Sequence, residues 1–216
     1  MTYNILTVII IVTVLVSLLA FNNREVLTKL IYSPYDVKHH KRYGGILGHI
    51  LVHGDWGHLA FNMLSLYFLG DVLLNAPGGI YQDVNGGLIY EYGDVRGQLH
   101  FAVLYVFGAL FATLIPYVRN QDNQSYRSLG ASGAVSAVIF AAIIWNPGMK
   151  LMLFFIPVPI PAYIFGPMYL LFEYFMDRRG GTGIAHDAHI GGALFGVFYV
   201  LITNFDRAKG FIEYFV

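Results

Sequence analysis

The stretch that decides the reading of this chain is Arg119-Asn-Gln-Asp-Asn-Gln-Ser-Tyr-Arg127, then Ser128-Leu-Gly130-Ala131-Ser132-Gly133, then Ala134 through Trp145. Its first part is polar and its last part carries no charge, so the border between water and an apolar environment falls near Ser132. The serine sits about one helical turn below that border. A hydroxyl there is a nucleophile if a base reaches it; otherwise it is one polar group among small residues that let another helix approach closely. Gly-Ala-Ser-Gly alone favours the second reading, and it is the positions of the histidines that shift the balance.

Of 216 residues, 56% are apolar and 12% charged, the mean hydropathy is +0.58, and six apolar segments stand apart between charges and prolines. A spanning helix needs ~20 mainly apolar residues, so the composition predicts an all-α, polytopic membrane protein in a single domain. The six spans are expected near 5–21, 57–74, 99–118, 131–145, 162–176 and 188–203. The lipid bilayer is therefore one partner. A formal net charge of zero gives no electrostatic footprint for nucleic acid. The absence of cysteine excludes a thiol nucleophile, a thiolate metal site and any disulfide framework.

No Lys or Arg precedes the first apolar run, which is longer than a usual signal-peptide core, so it reads as a retained helix. Residues 22–56 form a loop or partly buried segment carrying five basic side chains. Within it Tyr43 to Val52 is too short to span and is expected at the interface or dipping back into protein. Asn85-Gly86, between two Tyr/Ile/Val stretches, predicts a hairpin over 80–90. Asn146-Pro147-Gly148 ends the fourth span, and Pro157, Pro159 and Pro161 keep the chain out of helix until about Ala162. A polar tail is expected after the sixth span.

Spans two, four and six cross in the same direction, so their N-terminal ends share one membrane face. Those ends carry His58 and Asn62, Ser132, and His189. His58 and Asn62 are four apart, on one helical face. His189, Gly192 and Gly196 follow one face of span six, and Gly133, Ala137 and Ala141 form a small stripe beside Ser132; packing these two stripes together would bring Ser132 and His189 near hydrogen-bond range. An imidazole with a reference pKa of ~6.5 can take a serine proton near neutral pH. The oxyanion formed by attack on a peptide carbonyl needs donors fixed in advance, for which Asn62, His58 and the Ser132 backbone N–H are available. Asp187 lies on the opposite side of the helix from His189, so a Ser-His dyad is expected. A metal site is disfavoured, because His58, Asn62, His189 and a serine make a poor ligand set.

Three stretches then carry a family resemblance: His53-Gly-Asp-Trp-Gly-His58-Leu-Ala-Phe-Asn62, Gly130-Ala-Ser132-Gly133, and Ala188-His189-Ile-Gly-Gly192-Ala-Leu-Phe-Gly196. In order and separation they resemble the rhomboid intramembrane serine proteases, over about Gly45 to Asn204. The resemblance implies that Ser132 is the nucleophile, that His189 is general base and then acid, and that His58 and Asn62 help hold the oxyanion. It also implies a six-helix core with no metal or cofactor, and transmembrane-protein substrates cut at or just inside the membrane surface. The fifth span resembles the helix thought to move aside to admit substrate; the alternative within the same fold is a non-catalytic protein that binds transmembrane helices. Relatives often carry an aromatic residue four positions after the nucleophile, packed on the catalytic histidine; this chain has Ser136, so either another ring, Phe140 or one from span five, is expected to orient His189, or the dyad is looser. Relatives also often show Trp-Arg upstream, where this chain has Gly44-Gly45, so the first loop is expected to fold differently.

Nine Lys and Arg lie on the side of the catalytic helix ends and four on the other, which by charge bias places the site in the cytoplasm. The resemblance implies the reverse. Following it, the expectation is a bacterial cytoplasmic (inner) membrane with the active site outward. His39 and His40 read as surface residues, His49 and His100 as interfacial, and His53 and His186 as structural hydrogen-bonding groups near the site. Glu173 inside span five is costly in lipid, and either escapes to Arg178 and the headgroups or lines a wet cavity.

Overall fold

The computed structural model describes residues 4–75, 86–153 and 156–216. Its helices are α1 (Ile5–Asn22), α2 (Arg24–Leu30), α3 (Pro34–His40), α4 (Gly45–Gly48), α5 (Trp56–Leu74), α6 (Leu88–Tyr92), α7 (Asp94–Asn120), α8 (Ser132–Trp145), α9 (Ala162–Arg179), α10 (His186–Thr203) and α11 (Phe205–Glu213). A 3-10 turn covers His49–Leu51, and β1 (Lys150–Leu153) pairs antiparallel with β2 (Ile156–Pro161).

The architecture is the expected all-α membrane bundle, with every expected span matched by a helix. The count that meets the length and hydropathy of a crossing is smaller than six. Among the described residues, α1, α5 and α7 qualify, and α10 with α11 would make a fourth if that pair, bent by 110°, is one span. The 14-residue α8 is short because it is enclosed: every residue in it except Ser132 and Ile144 is buried, against α10, α7 and α5. A helix sheathed by protein need not match the thickness of the hydrocarbon.

Close approach of α8 and α10 follows from small residues on both. A side chain at Gly192 would overlap the carbonyl of Gly133, and one at Gly196 would overlap the carbonyl of Ala137. Gly108 of α7 meets the Ala137 methyl from the other side. Backbone-to-backbone contact of this kind drives helix association where no hydrophobic effect operates between spans.

The element starts are written in side chains that satisfy free N–H groups. Asn4 caps α1, Ser33 caps α3 ahead of Pro34, and Asp55 caps α5 by accepting from His58 N–H at 2.8 Å. The last bond places His58 in the first turn of α5. After Pro161, α9 begins at Ala162 as the prolines predict, but the segment before it is a two-stranded hairpin rather than irregular chain.

Three expectations are corrected. The hairpin over 80–90 falls partly outside the described residues, and its second arm, Leu88–Tyr92, is helical, docked with a Trp145 Nε1–H bond to the Gly86 carbonyl at 2.8 Å. The first loop is four short helical pieces whose apolar part takes the second of its two expected places, inside the protein, with Ile50 and Val52 buried; His49, expected at the interface, is instead buried with Nδ1–H donating to the Gly45 carbonyl at 3.0 Å. The tail is the helix α11, turned by 110° from α10, with Phe205 and Ile212 exposed.

Candidate active site

The loop before Ser132 is fixed from three directions. Tyr32 and Ser128 exchange backbone hydrogen bonds, Gly130 N–H donates to the His49 carbonyl at 2.9 Å, and Ala131 N–H donates to His53 Nε2 at 3.2 Å. His53 Nδ1 lies 2.9 Å from Ser17 Oγ, which itself donates to the Leu51 carbonyl. The network assigns His53 as the neutral Nδ1–H tautomer, accepting from Ala131 and donating to Ser17. Burial pushes its pKa down to about 3, which keeps that tautomer in place across ordinary pH. His53 is thus the structural hydrogen-bonding group the sequence led us to expect, holding the serine loop against α1.

Gly130 has φ +109, a conformation that only glycine adopts readily. A Cβ there would lie 2.5 Å from His58 Cε1 and 3.6 Å from Asn62 Nδ2. The backbone one step before the serine loop's end therefore runs directly against both side chains expected to hold an oxyanion. Asn62 is 2% exposed, and its Nδ2 donates to no protein acceptor. Leaving a buried donor unpaired costs on the order of 1–3 kcal/mol, so this amide is an available hydrogen-bond donor beside Gly130.

At the first residue of α8, Ser132 Oγ lies 2.7 Å from His189 Nε2 on α10. Both residues are partly exposed, Ser132 between the buried Ala131 and Gly133 and His189 after the buried Ala188. Gly133, Gly192 and Gly196 make this approach possible, since they are the points where α8 and α10 touch backbone to backbone. The stripes read from the sequence meet as expected.

The far side of His189 differs from expectation. Among the described residues no ring stacks face-on where the family's aromatic would stand: His186 is edge-on, with centroids 6.1 Å apart. Ser136 instead bonds the Tyr169 hydroxyl at 2.9 Å, and Phe140 packs on Tyr169 rather than on the imidazole. One turn further along α9, Glu173 is 4% exposed, with Oε2 at 2.6 Å from His186 Nδ1 and 3.1 Å from His189 Nδ1. It neither reaches headgroups nor pairs with Arg178, whose guanidinium lies over the Tyr174 ring. The sequence signal was there: an acid inside an apolar span marks function by default, but its partner could not be named from spacing.

Glu173, His186 and His189 also offer ligand atoms within 4.8 Å of one another, a set that could hold a metal ion. His186 already shares its protons with Glu173 and Thr182, and His189 Nε2 with Ser132. Thr182 Oγ1 accepts from Ile184 N–H and lies 2.9 Å from His186 Nε2, so His186 reads as a Nδ1–H tautomer donating to Glu173. A cleft of about 530 Å³ opens beside this chain, lined by Thr182, His186 and Asp187 with Arg119 and Tyr126. Asp187 faces Tyr126 and Arg119, not His189, in line with its expected exclusion. His39 and His40 are surface groups paired with Asp122 and Asp36, whereas His100 is stacked on Tyr92 at 4.1 Å.

A polytopic all-α bundle that brings a serine hydroxyl, an imidazole and two amide or imidazole donors to one end of three helices is the class of protein described so far. A family model for the rhomboid domain matches residues 40–204, most of the chain, and the chain belongs to the rhomboid family. It is 28% identical over 141 residues to RHOMBOID-like protein 12, mitochondrial, of Arabidopsis thaliana (65% of this chain, 40% of that protein). It is 29% identical over 154 residues to Rhomboid protein 1, mitochondrial, of Saccharomyces cerevisiae (71% and 40%). It is 30% identical over 118 residues to the Presenilin-associated rhomboid-like protein, mitochondrial, of Bos taurus (50% and 29%). The chain thus spans well under half the length of these relatives. The family includes serine proteases that act on transmembrane proteins. The expected bacterial inner membrane is overturned by these likenesses, which are to mitochondrial proteins of eukaryotes.

Proposed function

We propose that this protein is an intramembrane serine endopeptidase that hydrolyses peptide bonds in or near transmembrane segments. The observation that carries the reading is the 2.7 Å contact between Ser132 Oγ and His189 Nε2 at the partly exposed end of an otherwise buried helix. Nε2 takes the hydroxyl proton as Oγ attacks the carbonyl carbon, and returns it to the leaving amine. Asn62 Nδ2, His58 and the Ser132 backbone N–H donate to the oxyanion, and Gly130 leaves them room. Water then attacks the acyl-enzyme, with His189 as base again. The likeness to mitochondrial relatives supports a mitochondrial membrane as the setting.

The alternative, a non-catalytic member that binds transmembrane helices, lacks a reason for the aligned hydroxyl and imidazole. Purified protein in liposomes with a fluorogenic single-span peptide separates the readings. Cleavage that disappears in Ser132→Ala and survives a chelator supports the protease. Cleavage persisting in Ser132→Ala rejects it, and loss on chelation favours a metal at Glu173, His186 and His189.

A further inference from the structure

Glu173 has no part in a Ser-His dyad, yet it is a buried carboxylate on α9 touching the catalytic imidazole from behind. Burying a carboxylate in a membrane bundle is costly unless it is paired. Here one oxygen faces two imidazole Nδ1 atoms. His186 occupies it at 2.6 Å, and the Thr182 hydroxyl at His186 Nε2 fixes His186 as a donor. His189 Nδ1 lies 3.1 Å from the same oxygen and makes no aligned hydrogen bond to any protein acceptor. Catalytic hydrogen bonds are often loose before substrate arrives and tighten in the reacting complex.

The placement goes with Ser136, a small buried residue of α8 that faces α9. With a serine there, Tyr169 bonds its hydroxyl, and Glu173, four residues on and on the same face, reaches the imidazoles. Apart from Glu173, the buried residues of α9 are Ala162 and Gly166, while Met168, Leu171, Phe172 and Phe175 face outward. The carboxylate is therefore one tie between α9 and the catalytic end of the bundle, beside the Tyr169–Ser136 hydrogen bond and the Asp177–Arg119 ion pair at 2.8 Å.

We propose that Glu173 is the positioning residue of a Ser132-His189-Glu173 relay: its carboxylate holds His189 as the Nδ1–H tautomer, turns Nε2 toward Ser132, and faces the imidazolium formed when the serine proton is taken. This rests on the protease reading above. It also makes catalytic competence depend on α9 being docked, since the orienting group travels with that helix.

The test uses the full chain in detergent with a fluorophosphonate probe, whose reaction needs no known substrate. Ser132 Oγ forms a bond to phosphorus, fluoride leaves, and the serine proton passes to His189. In Glu173→Gln the amide can donate to Nδ1 and favour the wrong tautomer, so the limiting labelling rate is expected to fall ~10²-fold or more, with the half-saturating probe concentration within about threefold. Glu173→Asp, which keeps the charge, is expected to recover at least ~10-fold of that loss. A Glu173→Gln rate within about threefold of the parent overturns the proposal. So does an equal loss in both variants accompanied by a lowered melting temperature, which would mean a structural role only. If the parent chain is not labelled at all, the protease reading itself fails and the proposal with it.

Discussion

At the level of single residues, the site is built from groups held in one protonation state or one conformation by their neighbours. His53 and His49 are both neutral in the fold, with pKa values pushed down by burial to about 3 and about 4. The unfolded chain binds a proton on each near its reference pKa of ~6.5, so the unfolded state gains protons first as pH falls. Stability contributed by neutral burial is complete above about 6.5 and declines toward pH 4, at up to ~1.4 kcal/mol per pH unit for each ring. Melting temperatures in detergent are expected to drop across that window, and less steeply in His49→Asn, whose amide can still donate to the Gly45 carbonyl. An unchanged slope in that variant would contradict the assignment. Gly130→Ala places a methyl against His58 in a φ region that resists side chains. We expect it to cost about 1–3 kcal/mol and to reduce turnover more than tenfold. Asn62→Ala is expected to lower turnover by ~10²-fold while leaving folding intact, since it removes one oxyanion donor. Ser132, His189 and His58 were legible as candidates because each lies in the first turn or so of a helix, and Asn62 because it follows His58 by four residues on the same face. Glu173 was visible only as an anomaly, because its partners lie on a different helix, in a pairing set by packing rather than by period.

Between elements, the contact of α8 with α10 sets the reacting distance. Glycine and alanine at the crossing leave no slack, since side chains at Gly192 and Gly196 would meet carbonyl oxygens of α8. Gly192→Val is expected to push the helices apart, lower the melting temperature, and cost at least ~10² in rate, the usual penalty for misplacing reacting atoms by about 1 Å. A variant that keeps full activity would argue that the crossing does not control the dyad. These stripes and the six helix positions could be read from small-residue spacing and apolar runs. The β1-β2 hairpin, the short helices of the first loop and α11 could not. They are stabilised by contacts between segments far apart in sequence, such as the Tyr32–Ser128 bridge and the Arg207–Glu91 ion pair at 2.7 Å.

The whole molecule combines an apolar outer surface with a polar end where α5, α8 and α10 begin. Leu15, Leu19, Phe61, Leu114, Phe175 and Ile202 are exposed on helices whose inner faces are packed, which is the surface a bilayer covers. The protein should therefore remain in the membrane pellet after an alkaline carbonate wash; release into the supernatant would contradict the bundle's placement. The proposed protease activity rests on a single claim, that His189 takes the proton of the Ser132 hydroxyl. The most direct test is peptide mapping by mass spectrometry after fluorophosphonate treatment of the detergent-purified chain. We expect one adduct, on Ser132, that disappears when His189 is replaced by alanine. An adduct that forms at the same rate without the imidazole, or one found on a different residue, would contradict the account.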